Sequence, residues 1–171
     1  MNLPKEKVIL DCCCGCRMFW FNKKHPNVIY MDIRECDETT RDKRRIRVAP
    51  DVKGDFRNMP FPDNSFRMVV FDPPHLKHAG EKSWLARKYG KLDPENWQED
   101  IVAGFCECFR VLIPGGFLVF KWNEQQIPIY SVIRLVSENT LFVPENPLFG
   151  QKKGKTHWLV FMKSLQPQTE R

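Results

Sequence analysis

Asp11, Asp32 and Asp72 each stand directly after a short run of apolar residues of the kind that forms a buried strand. The carboxyl ends of parallel strands meet at one edge of a sheet, and ligands bind outside that edge. A carboxylate there accepts hydrogen bonds from the hydroxyl and amino groups of a ligand. The three aspartates therefore predict a ligand site at the carboxyl edge of a parallel sheet.

The segment Asp72-Pro73-Pro74-His75 could orient an exocyclic amine of a nucleic-acid base. Its two prolines hold the backbone in an extended turn, so that the Asp72 carboxylate and a neighbouring carbonyl can point at one place. Two acceptors on the hydrogens of such an amine favour the pyramidal nitrogen that attacks a methyl group, which is electrostatic catalysis. His75 is flat and could stack on the base. Asp-Pro-Pro is also common as a purely structural turn.

The residues after the first two aspartates suit an adenosine-containing cofactor. The first aspartate leads into a turn of small residues, 12–16, where a ligand can approach the backbone, although only Gly15 is a glycine. Asp32 follows about twenty residues later, where a carboxylate can accept both hydroxyls of a ribose. Asp55 and Phe56 are placed to meet an adenine ring. The alternative for residues 12–16 is a tight structural turn with buried cysteines, and the alternative for Asp32 is an acid on the surface at the end of a strand.

Basic residues interleaved with aromatic ones occupy residues 75–97, and a second basic stretch occupies residues 150–155. This combination suits contact with phosphates and stacking on bases. A solvated lid over the cofactor and a solvated hairpin are the alternatives for the two stretches. The candidate substrate-binding residues are Lys77, His78, Trp84, Lys88, Tyr89, Lys152 and Lys153.

Strand-like and helix-like segments alternate along the chain, which predicts an α/β fold with a mostly parallel sheet and helices on both faces. A long helix is capped by Asp93, has Pro94 at its first position and ends at Pro114-Gly115-Gly116. Residues 34–47 form a loop or a short hairpin. The predicted strands are 8–10, 28–31, 66–71, 117–122 and 157–163, and a second helix covers 127–136.

The chain has 171 residues, of which 42% are hydrophobic, and a net charge of +6. This length predicts one domain with a core of its own. No apolar run approaches the ~18–20 residues that cross a bilayer, and the N-terminus lacks the pattern of a signal peptide, so we expect a cytoplasmic protein with no membrane partner. The modest positive charge fits a polyanionic partner but is also common in proteins that have none.

The seven cysteines do not suggest a disulfide framework, because their number is odd and Cys12, Cys13 and Cys14 are adjacent. Only Cys13 and Cys16 have the Cys-x-x-Cys spacing of a structural zinc site, and a single such pair is a weak signal. We therefore expect reduced thiols and no bound metal.

Together these residues resemble the class I methyltransferases that use S-adenosylmethionine, and within them the amino-methyltransferases of DNA and RNA. The resemblance spans residues 8 to about 163. Asp72-Pro73-Pro74-His75 matches the (Asp/Asn/Ser)-Pro-Pro-aromatic catalytic motif, although His75 stands where Tyr, Phe or Trp is usual. The cofactor turn has cysteines where glycines usually stand. The implied cofactor-binding residues are Asp11, Cys12, Cys13, Gly15, Asp32, Ile33, Asp55 and Phe56.

The resemblance implies a single-domain, Rossmann-like methyltransferase of residues 1–165 with a seven-stranded sheet, followed by a flexible tail of residues 166–171. The implied reaction transfers a methyl group from S-adenosylmethionine to an exocyclic amino nitrogen, with adenine N6 favoured, then cytosine N4 or guanine N2. At this length we expect no separate target-recognition domain, so loops or a protein partner would select the DNA or RNA substrate. The alternatives are a methyltransferase for a protein amide, a protein amine or a small molecule, and a non-catalytic binding module.

Overall fold

The computed structural model describes residues 8–40, 43–80, 83–140, 143–144 and 146–165, and the predicted tail, residues 166–171, lies outside them. This part of the chain contains nine strands and three helices. In chain order they are β1 (Ile9–Asp11), β2 (Val28–Asp32), β3 (Cys36–Thr39), β4 (Arg45–Val48), β5 (Val52–Lys53), β6 (Phe66–Phe71), α1 (Trp84–Tyr89), α2 (Trp97–Val111), β7 (Leu112–Asn123), α3 (Ile129–Asn139), β8 (Phe149–Lys153) and β9 (Thr156–Met162).

Seven of the strands form one sheet in the order β5-β2-β1-β6-β7-β9-β8, and β3 pairs with β4 as a separate antiparallel hairpin. The first five strands of this order run parallel, whereas β9 runs antiparallel to both of its neighbours. The predicted seven strands are thus confirmed within the described residues, but the sheet is mixed. Of the two alternatives for residues 34–47, the pairing of β3 with β4 supports the hairpin in the part that the structure describes.

The strand order reverses at β1, because the chain adds β2 and β5 on one side of it and β6 and β7 on the other. The register aligns Asp11, the last residue of β1, with Tyr30 of β2 and Val70 of β6. In open α/β sheets, ligands bind at such a switch point, outside the carboxyl ends of the strands. The topology therefore brings the ends of β1, β2 and β6 to the position where a ligand site is expected.

The main core lies between the sheet and helices α2 and α3, which pack on each other and share one hydrophobic cluster with the strands. Phe105 of α2 packs against Phe71, Phe120 and Phe161, with ring centroids 4.8–5.8 Å apart. Close packing of these rings fixes the distance between helix and sheet. No helix among the described residues combines the length and the apolar character needed to cross a membrane.

The opposite face of β1 and β2 is covered without a helix, so the prediction of helices on both faces is wrong for this part of the sheet. Residues 12–27, which join β1 to β2, form only turns, bends and irregular backbone. Trp20 from this segment packs edge-on against Tyr30, with ring centroids 5.8 Å apart, and Cys14 and Val28 belong to the same small cluster. One face of the sheet therefore carries α2 and α3, and at β1 and β2 the other face carries an irregular segment.

Helix α2 begins later and ends earlier than the sequence predicts. Asp93 caps a turn instead of the helix, since its Oδ1 accepts a hydrogen bond from the backbone N–H of Glu95 at 2.9 Å. At the other end the backbone is already extended at Leu112, so strand β7 runs through the predicted stop, Pro114-Gly115-Gly116. The predicted strand 117–122 is therefore the second half of a longer strand.

At Gly104, helix α2 packs closely on two phenylalanine rings: a Cβ there would stand 2.6 Å from Cζ of Phe71 and 2.8 Å from Cδ2 of Phe56. We expect Gly104→Ala to lower the free energy of unfolding by about 1–3 kcal/mol, despite the better helix propensity of alanine, because the rings must shift. Urea unfolding measures this loss. Gly80→Ala is the matched control, since a Cβ at Gly80 meets nothing within 4 Å. An equal loss of unfolding free energy in both variants would show that the loss at Gly104 does not come from its close contact with the two rings.

Candidate active site

A cavity of about 70 Å³ opens beside the carboxyl ends of β1, β2 and β6, and we call it the switch-point cavity. Asp11, Asp32 and Asp72 all line it. Every predicted cofactor residue except Asp55 lines it as well. The other residues that line it are Cys14, Cys16, Met18, Phe19, Arg34, Pro74, Lys88 and Tyr89.

Asp11 is a buried carboxyl group, only 2% exposed. The indole Nε1–H of Trp20 donates a hydrogen bond to its Oδ2 at 2.7 Å. Burial, reinforced by the nearby carboxylates of Asp72 and Asp32, raises the pKa of Asp11 from 3.8 to about 7, while the hydrogen bond from Trp20 opposes the rise. Asp11 is therefore only partly ionised at neutral pH, and a cation in the cavity would favour its ionised form.

Asp32 accepts three hydrogen bonds at the end of β2. The backbone N–H of Gly15 donates to Oδ2 at 2.8 Å, and the backbone N–H and the Nε–H of Arg34 donate to Oδ1 at 2.9 and 3.2 Å. Gly15 makes its contact with φ +48°, a conformation that favours glycine. Because a carboxylate has about four acceptor positions, Asp32 keeps one position for a further donor.

The guanidinium of Arg34 also joins Asp32 to the C-terminal end of helix α1. Its Nη1 donates to the carbonyl oxygens of Arg87 and Lys88 at 3.3 and 3.5 Å. A cation interacts favourably with the free carbonyls at a helix C-terminus. Arg34 thus holds α1 against the cavity, which accounts in part for the small volume.

Asp72 forms an ion pair that the sequence analysis missed, since Nζ of Lys121 donates to its Oδ2 at 2.6 Å. Burial raises the pKa of Asp72, and the charge of Lys121 opposes that rise. The sequence does contain a signal for this pair. Lys121 alternates along β7 with the buried Phe120 and Trp122, so its side chain faces away from the core. The register aligns Phe71 with Phe120, which makes the next residues of the two strands neighbours.

His75 lies among aromatic side chains at this end of the sheet. Its ring centroid is 6.1 Å from that of Tyr89, which lines the cavity, and 6.4 Å from that of Trp122. Burial lowers the pKa of His75, so the imidazole is neutral at pH 7. In the same motif Pro73 is buried, and Pro74 lines the cavity.

The predicted adenine pair is divided between the cavity and the surface. Phe56 lines the cavity and packs on Phe71, with ring centroids 5.3 Å apart. The carboxylate of Asp55 instead accepts from Nη2 of Arg57 at 2.6 Å, and Arg57 also pairs with Asp100 at 2.9 Å. The hydrogen bonds from Arg57 lower the pKa of Asp55. The structure thus places Phe56, but not the Asp55 carboxylate, at the cavity.

The cysteines of the turn behave as packed, protonated thiols. Sγ of Cys12 donates to the carbonyl oxygen of Val70 at 3.2 Å and lies 3.9 Å from Sγ of Cys108. Burial raises the pKa of the Cys12, Cys13 and Cys14 thiols, which makes them poor nucleophiles. Within the residues that the structure describes, no group of three or more His, Cys, Asp or Glu side chains could hold a metal ion.

Three of the predicted substrate-binding residues line the switch-point cavity or a second cavity that shares residues with it. Lys88 and Tyr89 line that cavity. Lys88 and Trp84 line a second, larger cavity of about 800 Å³. Helix α1 therefore contributes side chains to both cavities.

The remaining predicted substrate-binding residues lie elsewhere. Nζ of Lys77 stands 5.6 Å from the ring centroid of Trp97, and His78 is exposed. Lys152 and Lys153 are on β8, which is exposed along its whole length, and Lys152 pairs with Glu124 at 2.7 Å. The structure does not bring these lysines to either cavity.

No profile of a known protein family matches the chain, and no curated protein matches it, but solved structures do. The protein PH0226 from Pyrococcus horikoshii is 17% identical, with a TM-score of 0.56 over 92% of this chain and 83% of that one. A SAM-dependent methyltransferase from Methanosarcina mazei is 14% identical, with a TM-score of 0.55 over 96% of this chain and 95% of that one. The chain thus has a methyltransferase-like fold.

We expect Asp11→Asn to remove a pH dependence of stability. The pKa of Asp11 in the folded protein, about 7, lies above its ordinary value of 3.8. Folding therefore favours the protonated carboxyl group, and the free energy of unfolding falls as the pH rises from about 4 to about 7. Asparagine cannot ionise but can still accept from Trp20.

Urea unfolding at several pH values measures the difference between the two proteins. They should be similarly stable near pH 4, and the wild type should be the less stable by several kcal/mol near pH 8. Parallel pH profiles for the wild type and Asp11→Asn would show that Asp11 does not carry the dependence.

Proposed function

We propose that the protein transfers a methyl group from S-adenosylmethionine to an exocyclic amino nitrogen of a nucleic-acid base, with adenine N6 favoured over cytosine N4 and guanine N2. The observation that carries this proposal is the position of the Asp72-Pro73-Pro74-His75 motif. It begins at the end of β6, where Asp72 and Pro74 line the same cavity as Asp11 and Asp32. The methyltransferase-like fold supplies the scaffold on which such a site is built.

The residues of the cavity fit the chemical groups of S-adenosylmethionine, which carries a sulfonium, an ammonium group, two ribose hydroxyls and an adenine ring. The buried Asp11 carboxyl would be ionised by the nearby cation and would bind the ammonium group. Asp32 would accept the ribose hydroxyls, and Phe56 would contact the adenine ring. The proposed set is completed by Cys12, Cys13, Gly15 and Ile33, which line the cavity, and by Asp55, which would have to turn from Arg57 to reach the cofactor.

Binding of this cofactor requires Arg34 to release Asp32. The cavity, at about 70 Å³, is far smaller than the roughly 300 Å³ or more of typical ligand pockets. Asp32 also has one free acceptor position, whereas two ribose hydroxyls need two. Withdrawal of the Arg34 guanidinium would free a second acceptor position, on Oδ1 of Asp32, and would release the end of α1 in the same step.

Bound S-adenosylmethionine supplies an electrophilic methyl group, and the residues of this chain orient the amine that attacks it. Asp72 would accept one hydrogen of the amine at Oδ1, because its Oδ2 is paired with Lys121. The carbonyl of Pro73 would accept the other hydrogen. Both acceptors would favour the pyramidal nitrogen, whose bond to the methyl carbon would form as the methyl–sulfur bond of the sulfonium breaks and the neutral thioether leaves. The methylated nitrogen, then positive, would lose its proton to solvent, so no general base is required.

His75 and Tyr89 would hold the flat base in place. Burial keeps His75 neutral at pH 7, so it can stack without adding a charge beside Lys121. Tyr89, whose ring centroid is 6.1 Å from that of His75, would supply an aromatic face of the kind that the fourth motif position usually carries. The further proposed contacts to the nucleic acid are Lys77, His78, Trp84, Lys88, Lys152 and Lys153, and a protein partner could add target recognition.

Radiolabelled methyl transfer to DNA, tRNA, rRNA and protein pools tests this proposal, with nucleoside mass spectrometry to identify the base. We expect label in a nucleic-acid pool, and Asp72→Ala should lower kcat by about 100-fold or more because an acceptor for the reacting amine is lost. Calorimetry should find cofactor affinity little changed in that variant. Label in protein alone would replace the base with a protein amide or amine, and no cofactor binding at millimolar concentration would exclude the enzyme.

Lys121→Met tests the role of the ion pair with Asp72. Because Lys121 opposes the rise in the pKa of Asp72, its removal should raise that pKa further. The acidic limb of the pH profile of kcat/KM should then move to higher pH, and activity lost at pH 7 should return as the pH rises. Lys121→Arg keeps the charge and should leave the limb in place. An unshifted limb in Lys121→Met would contradict this role.

A further inference from the structure

The second cavity, of about 800 Å³, adjoins the switch-point cavity, and we call it the basic groove. Gly15, Cys16, Met18 and Lys88 line both cavities. The walls of the groove come from the irregular segment 15–25, from strand β4 and from helix α1. It therefore lies on the side of the sheet where the β1–β2 connection lacks a helix.

Positive charge dominates the groove. One carboxylate, that of Asp51, lines it, and it is already paired with Arg17 at 3.0 Å. The lysines and arginines that line it are Arg17, Lys23, Lys24, Arg45, Arg47 and Lys88. The groove thus carries a large excess of cations over anions, whereas the charges of most protein surfaces are mixed.

Several of these cations lack a partner of opposite charge. Within the described part of the chain, no carboxylate lies at ion-pair distance from Lys23, Lys24 or Lys88. Arg45 and Arg47 share a single carboxylate, that of Asp37. Unpaired cations in a cleft repel one another and attract a polyanion, which releases its counterions on binding.

An aromatic surface lies among these charges. The ring of Trp84 lines the groove, with the Arg44 guanidinium carbon 5.1 Å and the Lys88 ammonium 5.8 Å from its centroid. Single-stranded nucleic acids are bound by this combination of a basic groove and an aromatic side chain on which a base stacks.

We propose that the basic groove binds the phosphodiester backbone of a single-stranded segment of nucleic acid, next to the cavity in which one of its bases is methylated. The proposal rests on the proposed function for the path of the strand. A base must leave the duplex stack before its amine can enter an active site. A single-stranded segment could therefore place one base in the switch-point cavity while its backbone lies in the basic groove. Trp84 favours this ligand over an acidic peptide, whose carboxylates offer no ring to stack.

Fluorescence anisotropy of a labelled oligonucleotide, measured without cofactor at several KCl concentrations, tests the groove. Lys23→Glu and Lys24→Glu should each weaken binding by about fivefold or more at 0.1 M salt and reduce the slope of log K against log salt by about 0.7 per lost contact. Trp84→Ala should weaken binding by about fivefold or more with an unchanged slope, because stacking carries no charge. Trp84→Phe should restore most of that loss.

Arg67→Glu is the matched control, because it makes the same change in net charge at an exposed residue near the amino end of β6, away from the groove. It should leave the affinity unchanged. A loss equal to that of Lys24→Glu would show that binding follows net charge alone and would overturn the proposal. Equal competition by polyglutamate of the same charge would overturn it in favour of an acidic protein partner.

The outcomes for the groove and for the proposed function can be told apart, because the binding measurement needs no methyl transfer. Oligonucleotide binding that is weakened in Lys24→Glu, combined with no transfer to any base, would support the groove and overturn the proposed function. Methyl transfer with the same KM for the nucleic acid in the wild type and Lys24→Glu would support the proposed function and overturn the groove.

Discussion

Carboxylates at the ends of three neighbouring strands converge on one small cavity, and burying like charges so close together is unfavourable unless each is given a donor. The protein gives each carboxyl group a different kind of donor. Asp11 receives a neutral indole N–H, Asp32 receives two backbone N–H groups and a guanidinium, and Asp72 receives an ammonium. The neutral donor belongs to Asp11, which is the carboxyl group whose pKa rises to about 7. The donors come from the β1–β2 connection, from the residues after β2 and from β7, so the need to compensate these charges fixes segments that are far apart in the chain.

Helix α1 links Arg34, which compensates the charge of Asp32, to the surface of the molecule. Arg34 binds Asp32 and the last carbonyls of α1, and Arg87 of the same helix pairs with Glu38 of β3 at 2.7 Å. Lys88, the next residue along, lines both cavities. Any movement of α1 that enlarges the switch-point cavity therefore also changes a wall of the basic groove. We therefore expect ligand binding in the switch-point cavity to change the shape of the basic groove through this helix.

Local sequence patterns were sufficient to predict β1, β2 and β6, the strands that position the three aspartates. Each of these strands is a buried apolar run that leads into an aspartate. The predicted strand 66–71 has the bounds of β6. Local patterns failed where a distant pairing decides the outcome. Leu112 is apolar and fits the stripe of the preceding helix, but it pairs with Phe66 and so begins a strand. The alternation along β7 turns Lys121 away from the core, but its pairing with Asp72 follows only from the register of β6 and β7. The basic groove was missed because five of its six lysines and arginines come from two segments, 17–24 and 45–47, that no periodicity connects. The sequence drew attention instead to residues 150–155 and to residues 75–97, which supply only Lys88 to these cations.

The two borders of the sheet are built in ways that discourage further strands. At one border β5 has only two residues, which is too short to template another strand. At the other, β8 is exposed at all five positions and presents Lys152 and Lys153, whose charges would oppose those of an identical strand brought alongside. Whatever these lysines contribute to binding, we expect their charge also to oppose growth of a fibril from this border. Both borders of the seven-stranded sheet therefore disfavour pairing with the same border of a second molecule.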